Sequence, residues 1–274
     1  MKDLWQRALE LFRIHLCLWI PCVCAGLLNL ILGWLEKAAV FRTARRLMTV
    51  HSALGGEFVS PDQGEYIHIA SRISMVLGPF RWWLDTCFLV VALVVTAKLV
   101  GMILDGNSPQ LVRALKDTLL EWRGILQFSF KCFLAFGAIG AVMLLLTTSA
   151  TVSLRLLAFL ASKAVNYPIA LVLEGCAAWL LMPSAMRLLQ VSDDVEVTTQ
   201  SRKVGTAYVV LTSGAGIVLG ILIAMAEAGL RFENQFELSA VTAANSIVEN
   251  APTVFQFIAL ALLAAGCVRR RRTD

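Results

Sequence analysis

The chain has 274 residues, 58% of them hydrophobic and only 16% charged, and its mean hydropathy is +0.73. A water-soluble domain needs more polar surface than this to cover its core, so composition excludes one and points to a single integral membrane domain. The formal charge of +5 is modest and gives no reason to expect nucleic acid as a partner. It matters through where Lys and Arg fall relative to membrane ends.

The first apolar run starts after Arg13, extends from Ile14 to Leu35 and ends in Glu36-Lys37 without a small-x-small cleavage site. It is expected to be a retained span. The outer segment 36–82 follows. Val40, Phe41, Ala44, Leu47 and Met48 share one helical face opposite Arg42, Arg45 and Arg46, the pattern of a basic helix lying in the interface. A turn-rich stretch through Gly55-Gly56 and Pro61 to Gly64 breaks it. A second amphipathic stretch carries Ile69, Ile73, Val76 and Leu77 and is expected to end at Gly78-Pro79, with Trp82 and Trp83 in the aromatic belt.

Five further apolar runs succeed it: Trp83–Leu104, Gly124–Thr148, Pro168–Leu189, Val204–Leu230 and Ala251–Val268. A hydrocarbon core of about 30 Å takes about 20 helical residues. The last run is short, but Arg269 to Arg272 follow at once and can reach the headgroups. The runs are continuous and lack period-two alternation, so helices and not barrel strands are expected. The fold class is an all-α polytopic bundle of about six spans with interfacial amphipathic helices, one domain over residues 1–274.

Between spans, Ser149 to Asn166 carries a helical stripe of Val152, Leu156, Phe159 and Leu160, and the last outer loop is acidic, with Glu227, Glu233, Glu237 and Glu249 against one Arg231. On the other side, Arg7-Ala8-Leu9 precedes the first span, Arg113-Ala114-Leu115 the third, and a polar segment from Ser192 to Lys203 the fifth. Each is a candidate short helix feeding a pair of spans, although three shared letters do not establish a repeat.

Six spans put both termini on one face with Lys2, Arg7, Arg13, Arg113, Lys116, Arg123, Arg187, Arg202, Lys203 and Arg269 to Arg272, 13 basic residues. The other face has 9, from Lys37 to Arg231, most of them in the first loop. The excess predicts both ends in the cytoplasm of a bacterial inner membrane.

Three ionisable residues inside the runs, Glu174, Lys98 and Lys131, form the candidate intramembrane polar site, because a charge at that depth is costly and marks function by default. Both lysines lie about 9–10 Å from the inner ends of their spans and can snorkel. Glu174 has a shorter stem and is expected to face the bundle interior. A separation of roughly 11 Å along the axis makes a direct pair between it and either lysine unexpected.

Ser213, Gly216 and Gly220 form a candidate helix-packing face of small residues, and Gly137 with Gly140 a smaller one. Pro21 and Pro183 are candidate kinks. The seven cysteines lie mostly in apolar runs, where Cys acts as a small hydrophobe. His15, His51 and His68 show no metal-ligand spacing. With no nucleophile elbow, phosphate loop or His-Glu-x-x-His helix, no catalytic residue, metal or cofactor is expected.

Two regions carry a family resemblance. In one, a span ends in Leu104-Asp105-Gly106-Asn107-Ser108-Pro109 and leads to Arg113-Ala114-Leu115 and Trp122-Arg123. In the other, Pro183 closes a span and a short segment reaches Gln200-Ser201-Arg202-Lys203. These resemble bacterial six-helix inner-membrane proteins related to the membrane domain found beside some glycerophosphodiester phosphodiesterases. The resemblance implies a six-span fold in the cytoplasmic membrane and brings no catalytic residue. The leading expectation is a non-enzymatic structural or accessory protein of the envelope or membrane. Its partners would be the lipid bilayer and either a membrane protein or further copies of itself. The alternative is a small transporter or channel-like protein with Glu174 near its pathway.

Overall fold

The computed structural model describes residues 2–53, 63–148, 163–189, 199–229 and 251–271, and among these every regular element is a helix. They are α1 (Lys2–Ile14), a 3-10 turn (Leu16–Leu18), α2 (Ile20–Ala53), α3 (Gln63–Leu104), α4 (Leu111–Leu120), α5 (Trp122–Thr148), α6 (Lys163–Leu189), α7 (Thr199–Gly229) and α8 (Ala251–Arg271). Five stretches are long and apolar enough to cross a membrane: Leu16–Val40, Leu77–Leu104, Trp122–Ala141, Tyr167–Leu189 and Thr199–Ile223. In composition and length these helices are compatible with a multi-pass membrane protein. The apolar part of α8, Ala251–Gly266, is shorter.

Neighbouring helices close a ring. α3 packs on α5, α5 on α6, α6 on α7, α7 on α8 and α8 back on α3. Two contacts per pair fix the directions: Trp82 with Phe133 and Cys87 with Ser129, Lys131 with Ser184 and Gly124 with Leu188, Gly175 with Val210 and Gly205 with Met182, and Thr212 with Gln256 and Gly216 with Pro252. Each of these four pairs is antiparallel, so α3, α6 and α8 run one way through the ring and α5 and α7 the other.

From Val254 to Ala264, α8 is apolar except at Gln256 and is buried on nearly every side, as a helix hydrophobic nearly all round must be. The ring covers part of it and α1 another part. Trp5 of α1 packs on Phe255 and Tyr208 at 4.6 and 5.8 Å between ring centroids, and Phe12 reaches Phe255 at 6.0 Å. α2 stands outside the ring against α3, and its Leu27, Leu28, Leu30, Ile31 and Trp34 are exposed. In a membrane protein such a face meets acyl chains.

The chain departs from the expected boundaries around the first outer segment. α2 runs on to Ala53 and α3 already begins at Gln63, giving helices of 34 and 42 residues continuous with their spans. Pro79 lies inside α3 and does not end a separate helix there. Its ring removes one backbone donor, a gap that a long helix supported on both sides tolerates. The side chains of the basic face from Ala44 onward, the stripe at 152–160, the acidic loop and Arg272 lie outside the described residues.

The two Arg-Ala-Leu triplets sit alike. Ala8 and Ala114 are fully buried, whereas Arg7, Leu9, Arg113 and Leu115 are exposed on the short amphipathic helices α1 and α4. Residues 190–198 of the third segment are not described, and Thr199 to Lys203 form the first turns of α7 itself.

The Leu104 to Pro109 sequence is a helix stop. Asn107 donates to the Met102 carbonyl at 2.9 Å and Gly106 to Ile103 at 3.1 Å, while Gly106 adopts φ +76°. This pattern is a Schellman cap, which satisfies the last carbonyls of α3 and turns the chain into α4. Gly106→Ala puts a Cβ into the left-handed region and should cost about 1–2 kcal/mol. Gly106→Asn should cost less. Unfolding in mixed micelles by added dodecyl sulfate measures both.

Candidate functional site

The ring lines a half-open cavity of about 420 Å³. All five ring helices line it. α6 presents Glu174, Ala178, Leu181, Met182 and Ala185, a stripe at helical spacing. Its opposite face, Val172, Cys176 and Leu180, is exposed, with Val172 at 67% and Leu180 at 70%. Glu174 therefore points into the bundle and away from the exposed outer face.

Polar lining residues cluster at one end. Thr86 comes from the first part of the lining of α3, Ser213 from the last part of α7, and Thr253 and Gln256 from the first part of α8. Given the helix directions, all of these lie toward the end occupied by Glu174. Ser213 is a hydrogen-bonding partner of the Glu174 carboxylate, and Gln256 is tied to α7 through Thr212 at 3.1 Å. The other end is apolar, with Leu93, Phe128, Ala185 and Leu260. Gly175 explains how α6 and α7 approach here: a Cβ at that position would lie 3.1 Å from Val210 Cγ2.

The three candidate ionisable residues are not brought together. Lys98 donates to Glu121 at 2.5 Å, binding α3 to the junction of α4 and α5. Lys131 donates to the Ser184 hydroxyl at 3.3 Å and is exposed. Glu174 alone lines the cavity. In the candidate packing face, Ser213 also lines it, a Cβ at Gly216 would lie 4.0 Å from the Pro252 ring, and one at Gly220 would meet nothing within 4 Å.

Two polar arrangements escaped the sequence reading. Arg81 Nη1 donates to Glu36 Oε2 at 2.7 Å and Nη2 to Asn29 Oδ1 at 3.3 Å, and Nε lies 3.7 Å from Asp85. The guanidinium passes over Gly33, where a Cβ would come within 2.9 Å of Nη2. Glu36 and Arg81 fall in the expected outer segment and Asp85 in the second apolar run, so the expected boundaries separate residues that the fold joins. The signal was available, since Arg81 and Asp85 are one helical turn apart.

The second arrangement joins Pro183 to Arg202. A proline at 183 has no N–H to give to the carbonyl four residues back, at Trp179. Arg202 Nε supplies that donor from α7 at 2.6 Å, and its guanidinium lies 4.4 Å from the centroid of the Trp179 ring. Pro183 and Arg202, both in the motif that carries the family resemblance, thus complete one hydrogen bond.

No family model matches the chain, and no curated protein or solved structure is found similar to it. Function must therefore be argued from the cavity itself.

Proposed function

We propose that this is a non-enzymatic, multi-pass protein of a bacterial inner membrane that binds a small ligand within its helix ring, as a small transporter or channel-like protein does. The observation that carries this reading is Glu174 at the polar end of a cavity lined by five helices. An acid held inside a membrane bundle is costly and is retained where it faces a ligand or ion path. Small-molecule sites are largely apolar concavities of roughly 300–1,000 Å³ with a few convergent polar groups, and this cavity fits that description.

The proposed topology has six spans and both termini in the cytoplasm. α8 serves as the sixth: its 21 residues extend about 31 Å, and its buried position frees it from needing a long lipid-facing surface. The surplus of Lys and Arg on the face shared by the termini supports the orientation. The accessory reading would take the same fold with a cavity closed to water.

Thiol labelling separates the two. In a chain with all seven cysteines replaced, single cysteines are placed at Ser213, at lipid-facing Leu211, and at Ser108 in the exposed turn after α3. A small water-soluble methanethiosulfonate should modify Ser108→Cys fastest and Ser213→Cys at least about tenfold faster than Leu211→Cys, because only wet thiols ionise and react. Equal protection of the cysteines at 213 and 211 would return the protein to the accessory reading.

A further inference from the structure

Resting on the ligand-binding reading above, we infer that the cavity takes a hydrophobic organic cation, an amine or quaternary ammonium on an apolar body, with its charged end at Glu174. Charge and shape both point to this class. Among the described residues that line the cavity, Glu174 is the single formally charged one. Four cations of the ring helices are engaged elsewhere: Arg81 on Glu36, Lys98 on Glu121, Lys131 on Ser184, and Arg202 on the Trp179 carbonyl and ring. An anionic ligand would thus meet a carboxylate and no compensating positive charge, a repulsion that the low dielectric strengthens. A neutral apolar ligand would strip water from Glu174 and give nothing back.

The remaining observations concern shape. Trp82 and Phe136 line the same end as Glu174, and aromatic faces attract ammonium groups. Ser213, Thr253 and Gln256 supply hydroxyl and amide groups around the same point. Beyond them the walls are apolar, with Leu93, Phe128, Phe257 and Leu260, which suits the body of an amphiphile and would reject a small hydrated metal ion. The cavity volume of about 420 Å³ corresponds to roughly fourteen water volumes, a modest organic molecule and not a whole phospholipid.

The test compares three eight-carbon probes on the intact protein in lipid nanodiscs: octyltrimethylammonium, octanesulfonate and 1-octanol, each corrected for uptake by empty discs. Titration calorimetry should show octyltrimethylammonium binding saturably, one per chain, at least about tenfold tighter than octanesulfonate. In Glu174→Gln that preference should disappear while 1-octanol still binds saturably, and at least as tightly as in the parent because no carboxylate is left to desolvate, which shows the cavity still formed. Ala178→Trp, which fills the cavity from α6, should abolish saturable binding of every probe. If 1-octanol binds but the cation shows no advantage, or the sulfonate binds better, the ligand class is wrong and the cavity reading stands. If no probe binds saturably to the parent protein, both fall.

Discussion

Replacing Arg202 with alanine should destabilise the bundle by about 2–4 kcal/mol, a large cost for a residue that counts from sequence as part of a polar inner link. Two losses combine. The Trp179 carbonyl, already deprived of its helical donor by Pro183, becomes an unsatisfied acceptor against the middle of α6. The guanidinium contact with the Trp179 ring also disappears. A double-mutant cycle separates the terms. Pro183→Ala returns an N–H to α6 that can bond the Trp179 carbonyl, so Arg202→Ala in that background should cost about 1–2 kcal/mol less than in the parent. Reversible unfolding in mixed micelles with dodecyl sulfate gives each corner of the cycle. If the two substitutions add independently, the arginine is not standing in for the missing backbone donor. Arg202→Lys should fall between, because an ammonium cannot keep the fixed angle between stacking and donating that the planar guanidinium holds.

That pairing also shows where reading from sequence reaches its limit. Spans were legible because the bilayer tolerates few alternatives to a continuous apolar helix, and the expected runs from Trp83 and from Pro168 end at Leu104 and Leu189, where α3 and α6 end. Glu174 could be placed on an inward face because Ala178, Leu181, Met182 and Ala185 repeat at helical spacing while Val172, Cys176 and Leu180 occupy the opposite side. Charges at the edges of the runs were misread for a physical reason. Hydropathy assigns every Arg or Glu beside an apolar window to a loop, yet a helix does not stop where its composition changes. Glu36 and Arg81 therefore looked like loop residues although they meet between α2 and α3. Lys98 lay in view, but its partner Glu121 comes after the capped turn at Gly106 and a whole further helix, a separation no periodicity encodes. The cavity is beyond sequence for the same reason: it depends on ring closure between α8 and α3, the most distant pair in the ring.

Close helix approach offers the second large effect, at a glycine that lies outside the Ser213, Gly216 and Gly220 face. Gly205 is buried where α6, α7 and α8 converge: a Cβ there would lie 2.6 Å from Met182 Sδ, 2.8 Å from Met182 Cε and 3.3 Å from Leu263 Cδ2. The nearest atoms belong to the flexible end of a methionine, which can turn aside for one methyl group. Gly205→Ala should therefore cost only about 1 kcal/mol. Gly205→Leu has no such escape, since Met182 is itself buried and displacing it forces α7 away from both neighbours. Its cost should exceed about 3 kcal/mol, beyond the usual range of overpacking because three helices share the strain. Met182→Ala vacates the contested volume, so it should rescue much of the Gly205→Leu defect while destabilising the parent by about 2 kcal/mol or more. This reversal of sign between backgrounds, read by dodecyl sulfate unfolding, distinguishes a steric contact from a backbone preference. A glycine retained only for its conformational freedom would gain nothing from trimming Met182. Because Met182 also lines the cavity, the rescued pair should fold yet bind the octyl probes with altered affinity, linking the packing of α6 on α7 to the shape of the ligand site.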